Sequence, residues 1–203
     1  YKIAYLLLFI IPLNIYSQRI NNNISYRNMG SDNYFRLSYD NDYFTATDIY
    51  YTQGINAELV SPAFRKNPVN FLLLRSKDRP TKYGLAVDHF GFTPTSIRSN
   101  VILEGDHPFA ACLSLNSFKT IYDSNRNSIF TSSFSFGVIG PWAGGEGMQT
   151  AIHKAINDEL PIGWQYQISN DVIVSYELSV EKLVYNYKNI FALNRSSGVK
   201  IGS

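Results

Sequence analysis

Hydrophobic and polar side chains alternate one by one along much of this chain. In 34–42, Phe35, Leu37 and Tyr39 oppose Arg36, Ser38, Asp40 and Asp42. In 49–60, Ile55, Ala57 and Leu59 oppose Thr52, Gly54, Asn56 and Glu58. The same rhythm returns in 108–118 (Phe109, Ala111, Leu113, Leu115), 127–139 (Phe130, Phe134, Phe136, Val138) and 170–184 (Val172, Val174, Tyr176, Leu178, Val180). Weaker alternation in 81–92 and 191–202 completes a set of seven predicted strands. A period of two is that of a sheet with two unlike faces, here one apolar and aromatic and the other polar with small residues. One stretch breaks the rhythm. Residues 143–157 read as a helix, opened by Gly140-Pro141 and Gly144-Gly145 and closed before Pro161. Met148, Ile152, Ala155 and Ile156 share one stripe of it, and Gln149 and His153, four apart, share the neighbouring stripe.

Composition narrows what kind of sheet this is. Of 203 residues, 17% are charged, below the roughly 25% usual in soluble domains. Aromatics make up 15%, mostly 15 Tyr and 13 Phe. Low charge with many aromatics excludes a disordered chain. A net charge of +2 gives no case for nucleic acid, and the single cysteine, Cys112, excludes an internal disulfide or a cysteine-rich zinc site. Three features favour an antiparallel transmembrane β-barrel: strands of ten or more residues, Tyr and Phe near strand ends, and an export signal. A secreted lipocalin-like barrel is the alternative.

The export signal is residues 1–18, where Lys2 precedes the apolar run from Ile3 to Leu13 and small or polar residues follow. A polar, Asn-rich segment, 19–33, leads into the barrel domain, 34–203. The absence of an initiator Met and the odd number of strands lead us to expect a fragment whose C-terminal strands are missing.

With the first strand running outward, every odd-to-even connection is extracellular. The densest polar clusters then share one rim: Asn41-Asp42 with 43–47, the segment 93–107, and the helix. By strand parity Asp42 and Thr52 belong with the lumen-facing residues. A His, a carboxylate and hard oxygens suit water activation beside a divalent cation, and Ca²⁺ fits such oxygens better than zinc. Asn-Asp in a hairpin is also ordinary turn chemistry, and a single His on a loop helix is also an ordinary packed residue. The residue types and spacing leave both readings open. Neither a Gly-x-Ser-x-Gly elbow nor a phosphate loop is present.

The order of motifs goes further. Asn41-Asp42, Tyr50-Tyr51-Thr52-Gln53-Gly54, Gly105-Asp106-His107-Pro108-Phe109-Ala110, Gly137-Val138-Ile139-Gly140-Pro141 with Ala143-Gly144-Gly145, Gln149 and His153, then Gly163-Trp164-Gln165 with Gln167, resemble the outer-membrane lipid A 3′-O-deacylase family across about 35–167. The resemblance implies a twelve-stranded barrel in the bacterial outer membrane, about seven strands of it present here. It implies Ca²⁺-dependent hydrolysis of an ester-linked acyl chain of lipid A, with the site at the extracellular end between the wall and a loop helix. His153 would then be the base that activates water and Asp42 the principal Ca²⁺ ligand. Asn41 and Thr52 would shape the metal and oxyanion site, and Gln149 and Glu159 would orient the base or complete the metal shell. Asp158, adjacent to Glu159, is the alternative for that place. Two departures bear on substrate: Glu104 stands where relatives carry a basic residue, and His107 where Arg is common. They keep open another acyl ester, such as a phospholipid, as substrate. A non-catalytic barrel is the third reading.

Overall fold

The computed structural model describes residues 30–41, 50–188 and 190–203. Seven strands form one sheet in chain order, each antiparallel to the next: β1 (Tyr34–Asn41), β2 (Tyr50–Val60), β3 (Thr81–Thr93), β4 (Ala110–Asp123), β5 (Ser128–Ile139), β6 (Asp171–Tyr187) and β7 (Phe191–Gly202). The sheet curls into a half-barrel. A single α-helix among the described residues, α1 (Gly145–Ile156), lies in the β5–β6 connection. Number, order and hand of pairing match the alternation. The largest differences are at the far ends of β4 and β6, which run several residues past the predicted stops.

Parity separates the two faces as expected. The lumen face holds a paired polar network. Asp88 on β3 accepts from Asn56 Nδ2 of β2 at 2.5 Å and from Asn116 Nδ2 of β4 at 2.8 Å. Glu58 accepts from the Tyr34 hydroxyl at 2.7 Å and pairs with Arg36 at 3.0 Å. All three carboxamide and carboxylate groups around Asp88 are buried, and each buried charge has partners, as a low-dielectric site demands. The opposite face exposes Phe35, Leu37, Leu59, Val87, Leu115, Phe136 and Val174. Exposed aliphatics on the outside of a sheet whose polar side is buried are what a bilayer selects, because lipid replaces water as the outer solvent.

Near one rim the outward face is not apolar. Ser117, Lys119 and Ser132 share the parity of Leu115 and Phe136, and the segment between β2 and β3 folds over them. The Lys119 ammonium donates to the carbonyls of Asn70 and Leu74, and the Leu74 N–H donates to Ser132 Oγ at 3.0 Å. The other rim carries the connections 94–109 and 140–170, at the end where β1 stops at Asn41 and β2 starts at Tyr50. Both are odd-to-even connections, so the described motifs gather at one end. Gly140 turns the chain out of β5 at φ +90, with Ser169 backbone so close that a Cβ would collide with it. That approach brings both feet of the helical connection together.

Candidate active site

The site is built on one row of the wall. Asn41 pairs with Gln53, Gln53 with Gly91, and Gly91 with Ala111, so four strands contribute one residue each at the same height. This row has outward parity. Thr52 joins it because the β2–β3 register shifts between Tyr51 and Gln53. A bulge inserts one unpaired residue and turns two consecutive side chains to the same side. A Cβ placed on Gly91 would lie 3.1 Å from Gln53 Cγ and 3.3 Å from Thr52 Cγ2, so both side chains stand on the outer face. Tyr51 turns the other way, against Phe90 and Phe92. The expectation from parity that Thr52 faces the lumen is therefore corrected. The bulge breaks the count of two between Gly54 and Thr52. Asp42 lies outside the described residues.

The helix is seated on this outward row. Ala143, Phe109 and Trp164 bury themselves against Ala111, and a side chain at Gly145 would collide with Ala111 and the Trp164 ring. The Gly145 hydrogen is thus what lets the helix approach. His89, on β3 beside the row, donates from Nε2 to the Ala143 carbonyl at 2.9 Å; a carbonyl only accepts, so Nε2 carries the proton. His89 had no assigned role in the sequence. Its outward parity beside a glycine and an alanine, small residues that admit another backbone, was the available signal.

The buried stripe of α1 is Gly145, Gln149 and His153, at four-residue spacing. Met148 and Ile152 are half-exposed and Ile156 is exposed. The helix turns its polar stripe to the wall and its apolar stripe away, the reverse of a helix on a soluble core. Gln149 Oε1 accepts the Trp164 indole N–H at 2.7 Å, and Trp164 packs on Phe109 with ring centres 4.9 Å apart. One turn on, His153 Nδ1 donates to the backbone carbonyl of Glu159 at 2.5 Å. This fixes the tautomer and leaves Nε2 as the ring's basic nitrogen. The helix ends at Asn157, in the left-handed region at φ +57, and the Asp158 N–H donates to the His153 carbonyl at 2.8 Å. That reversal carries Glu159 back beside the imidazole.

The remaining predicted residues divide. Glu159 meets His153 through its main chain, while its exposed carboxylate pairs with Arg98. Asp158 caps the Glu159 N–H at 2.7 Å. Glu104 is exposed, and His107 packs on Phe92 and Tyr50. Asp106 takes the Thr95 hydroxyl and N–H on one oxygen, which holds its carboxyl below the usual carboxylate range. Among the described residues, no three His, Cys, Asp or Glu side chains cluster as a metal site. The side-chain oxygens at the row, those of Asn41, Thr52 and Gln53, are neutral. They fit Ca²⁺ as the uncharged part of a hard-oxygen shell, and the charge such a shell needs would come from Asp42, the next residue after Asn41.

These features define a class: an outer-membrane β-barrel wall with a row of polar side chains on its outer side and a loop helix whose Gly145–Gln149–His153 stripe is buried against that wall. The chain belongs to the family of outer membrane protein LpxR, whose model matches residues 3–202. Its fold is similar to the solved structure of LpxR from Salmonella typhimurium, with a TM-score of 0.60 at 19% sequence identity, over 76% of this chain and 48% of that one. The chain therefore spans about half the length of that protein. No curated protein matches the sequence.

Proposed function

We propose that this protein hydrolyses an ester-linked acyl chain of lipid A at the outer membrane, in a Ca²⁺-dependent reaction with His153 as general base. The observation that carries this reading is the His153–Glu159 hydrogen bond. It orients an imidazole on the wall-facing stripe of α1 with Nε2 basic. His153 Nε2 takes a proton from water as the water oxygen bonds to the ester carbonyl carbon. The tetrahedral intermediate then breaks its bond to the sugar oxygen, which His153 reprotonates, leaving a free fatty acid and a lipid hydroxyl. Gln149 acts at one remove. Locked by Trp164, it holds the stripe at a fixed height over the row. Asp42, with the oxygens of Asn41 and Thr52, would hold the Ca²⁺, which supplies Lewis-acid stabilisation of the oxyanion when bound. Glu159 takes part through its carbonyl, which orients the imidazole.

Glu104 and His107 favour a second reading, in which a phospholipid ester is the substrate. Neither presents a fixed cation to a lipid A phosphate: Glu104 is an exposed anion and His107 is packed edge-on to Tyr50. The test is the full-length protein in outer membranes with Ca²⁺. Wild type should shorten lipid A by one acyl chain and release a fatty acid, and His153→Ala or a chelator should abolish both. Identical lipid A masses with and without His153 would sink the reading. Loss of glycerophospholipid acyl chains with lipid A intact would move it to the second.

A further inference from the structure

The two long extracellular connections form one shelf. The Ile162 N–H donates to the Ile97 carbonyl at 3.0 Å, the Tyr166 hydroxyl to the Asn100 carbonyl at 3.1 Å, and the Gln165 amide to Asn100 Oδ1 at 2.8 Å. Phe109 and Ala111 fix this shelf to the outer side of the wall. Because α1 spends its polar stripe on the wall, its apolar stripe is turned away from the wall. Trp142, Val101 and Ile102 are 65%, 66% and 67% exposed, and Ile156, Leu160 and Ile162 are exposed with them. Scattered exposed hydrophobics are normal, whereas a contiguous group marks an interaction surface. Val101 and Ile102 are adjacent, and with Phe109 and Tyr166 they line a narrow cavity of about 50 Å³.

The occupant follows from what the group adjoins. Trp142 stands three residues beyond the end of β5, and its N–H donates to Asn170 Oδ1 at 2.7 Å, one residue before β6. The outward faces of those two strands carry Phe136, Val172 and Val174, all exposed. They are lipid-facing wall of an outer-membrane barrel. Tryptophan at the upper edge of such a wall is the arrangement that anchors membrane proteins at the interface. We propose that the apolar side of the shelf is a docking surface for the acyl chains of the outer leaflet, continuing the lipid-facing wall past the ends of its strands. The proposal rests on the barrel's place in the membrane and not on hydrolysis.

Tryptophan fluorescence tests it directly, because the only other tryptophan, Trp164, is buried. The full-length protein is reconstituted in vesicles of phosphatidylcholine with brominated acyl chains, and the Trp142 signal is taken as the difference between wild type and Trp142→Phe. Ile102→Trp in the Trp142→Phe background moves the reporter to the other connection. Both reporters should lose at least half of their emission to brominated chains and little to aqueous acrylamide. Quenching by acrylamide without quenching by the brominated chains would overturn the proposal, as would protection from both, which would mean that protein covers the face. The readout needs no turnover. Bromine quenching with inactive protein would leave the docking surface standing while removing the deacylase reading, and the converse holds.

Discussion

His153 Nδ1 and the backbone oxygen of Glu159 lie 2.5 Å apart, so the imidazole is oriented by a main-chain atom and not by the carboxylate six residues along the chain. Glu159→Gln keeps that atom and removes only the exposed pair with Arg98. Exposed ion pairs contribute about 0–1 kcal/mol, so hydrolysis should stay within roughly fivefold of wild type. Rates of fatty acid release for the two proteins check this, and a loss beyond about a hundredfold would return the carboxylate to the reaction.

Gly145 should tolerate no side chain while Ala111 is present. Gly145→Ala puts a methyl group into Ala111 and the Trp164 ring, and overpacking of this kind costs about 1–3 kcal/mol. The expected result is faster amide hydrogen exchange in α1 and reduced hydrolysis, with the barrel's thermal unfolding little changed. Ala111→Gly should restore part of both in the double variant, since it removes the closer of the two collisions and leaves the one with the Trp164 ring.

Gln149 and Trp164 should be coupled. Gln149→Leu leaves the buried Trp164 N–H without its acceptor, at a cost of roughly 1–3 kcal/mol. Adding Trp164→Phe removes the orphaned donor, so the double variant should be less destabilised than the sum of the two single changes. Thermal melts of the four proteins give the coupling energy, and strict additivity would show that the bond contributes nothing.

Asp106 should make the 94–109 connection sensitive to acid. The Thr95 hydroxyl, then its N–H, holds this carboxyl below its ordinary value, so folding favours the charged form. The contribution is fully present above the ordinary carboxylate range and is lost as pH falls through the lower, folded value. Amide exchange at Thr95 and His107 should therefore be pH-independent in protection from neutrality down to the ordinary range and accelerate below it. Asp106→Asn should show the accelerated exchange at neutral pH.

Much of this was legible in the residues. Alternation alone marked every strand, because a sheet between lipid and a polar interior sorts most side chains by parity. The helix and its Gln149–His153 stripe were legible from four-residue spacing and from the glycines and proline that flank it. The roles of His89, Gly145 and Arg98 were not, because each acts on a partner far away in the chain: Ala143, Ala111 and Glu159.

Thr52 marks the boundary. Its sequence neighbours assign it to the lumen, and they do so correctly for Gly54, Asn56 and Glu58. What turns it outward is a mismatch with β3, where Tyr51 pairs with Phe92 and Gln53 already pairs with Gly91. Parity is a property of one strand and can be read from it. Register, and the choice of which helix face meets the wall, are properties of two surfaces together, so they are decided only where Gln53 pairs with Gly91 and where Gly145 meets Ala111.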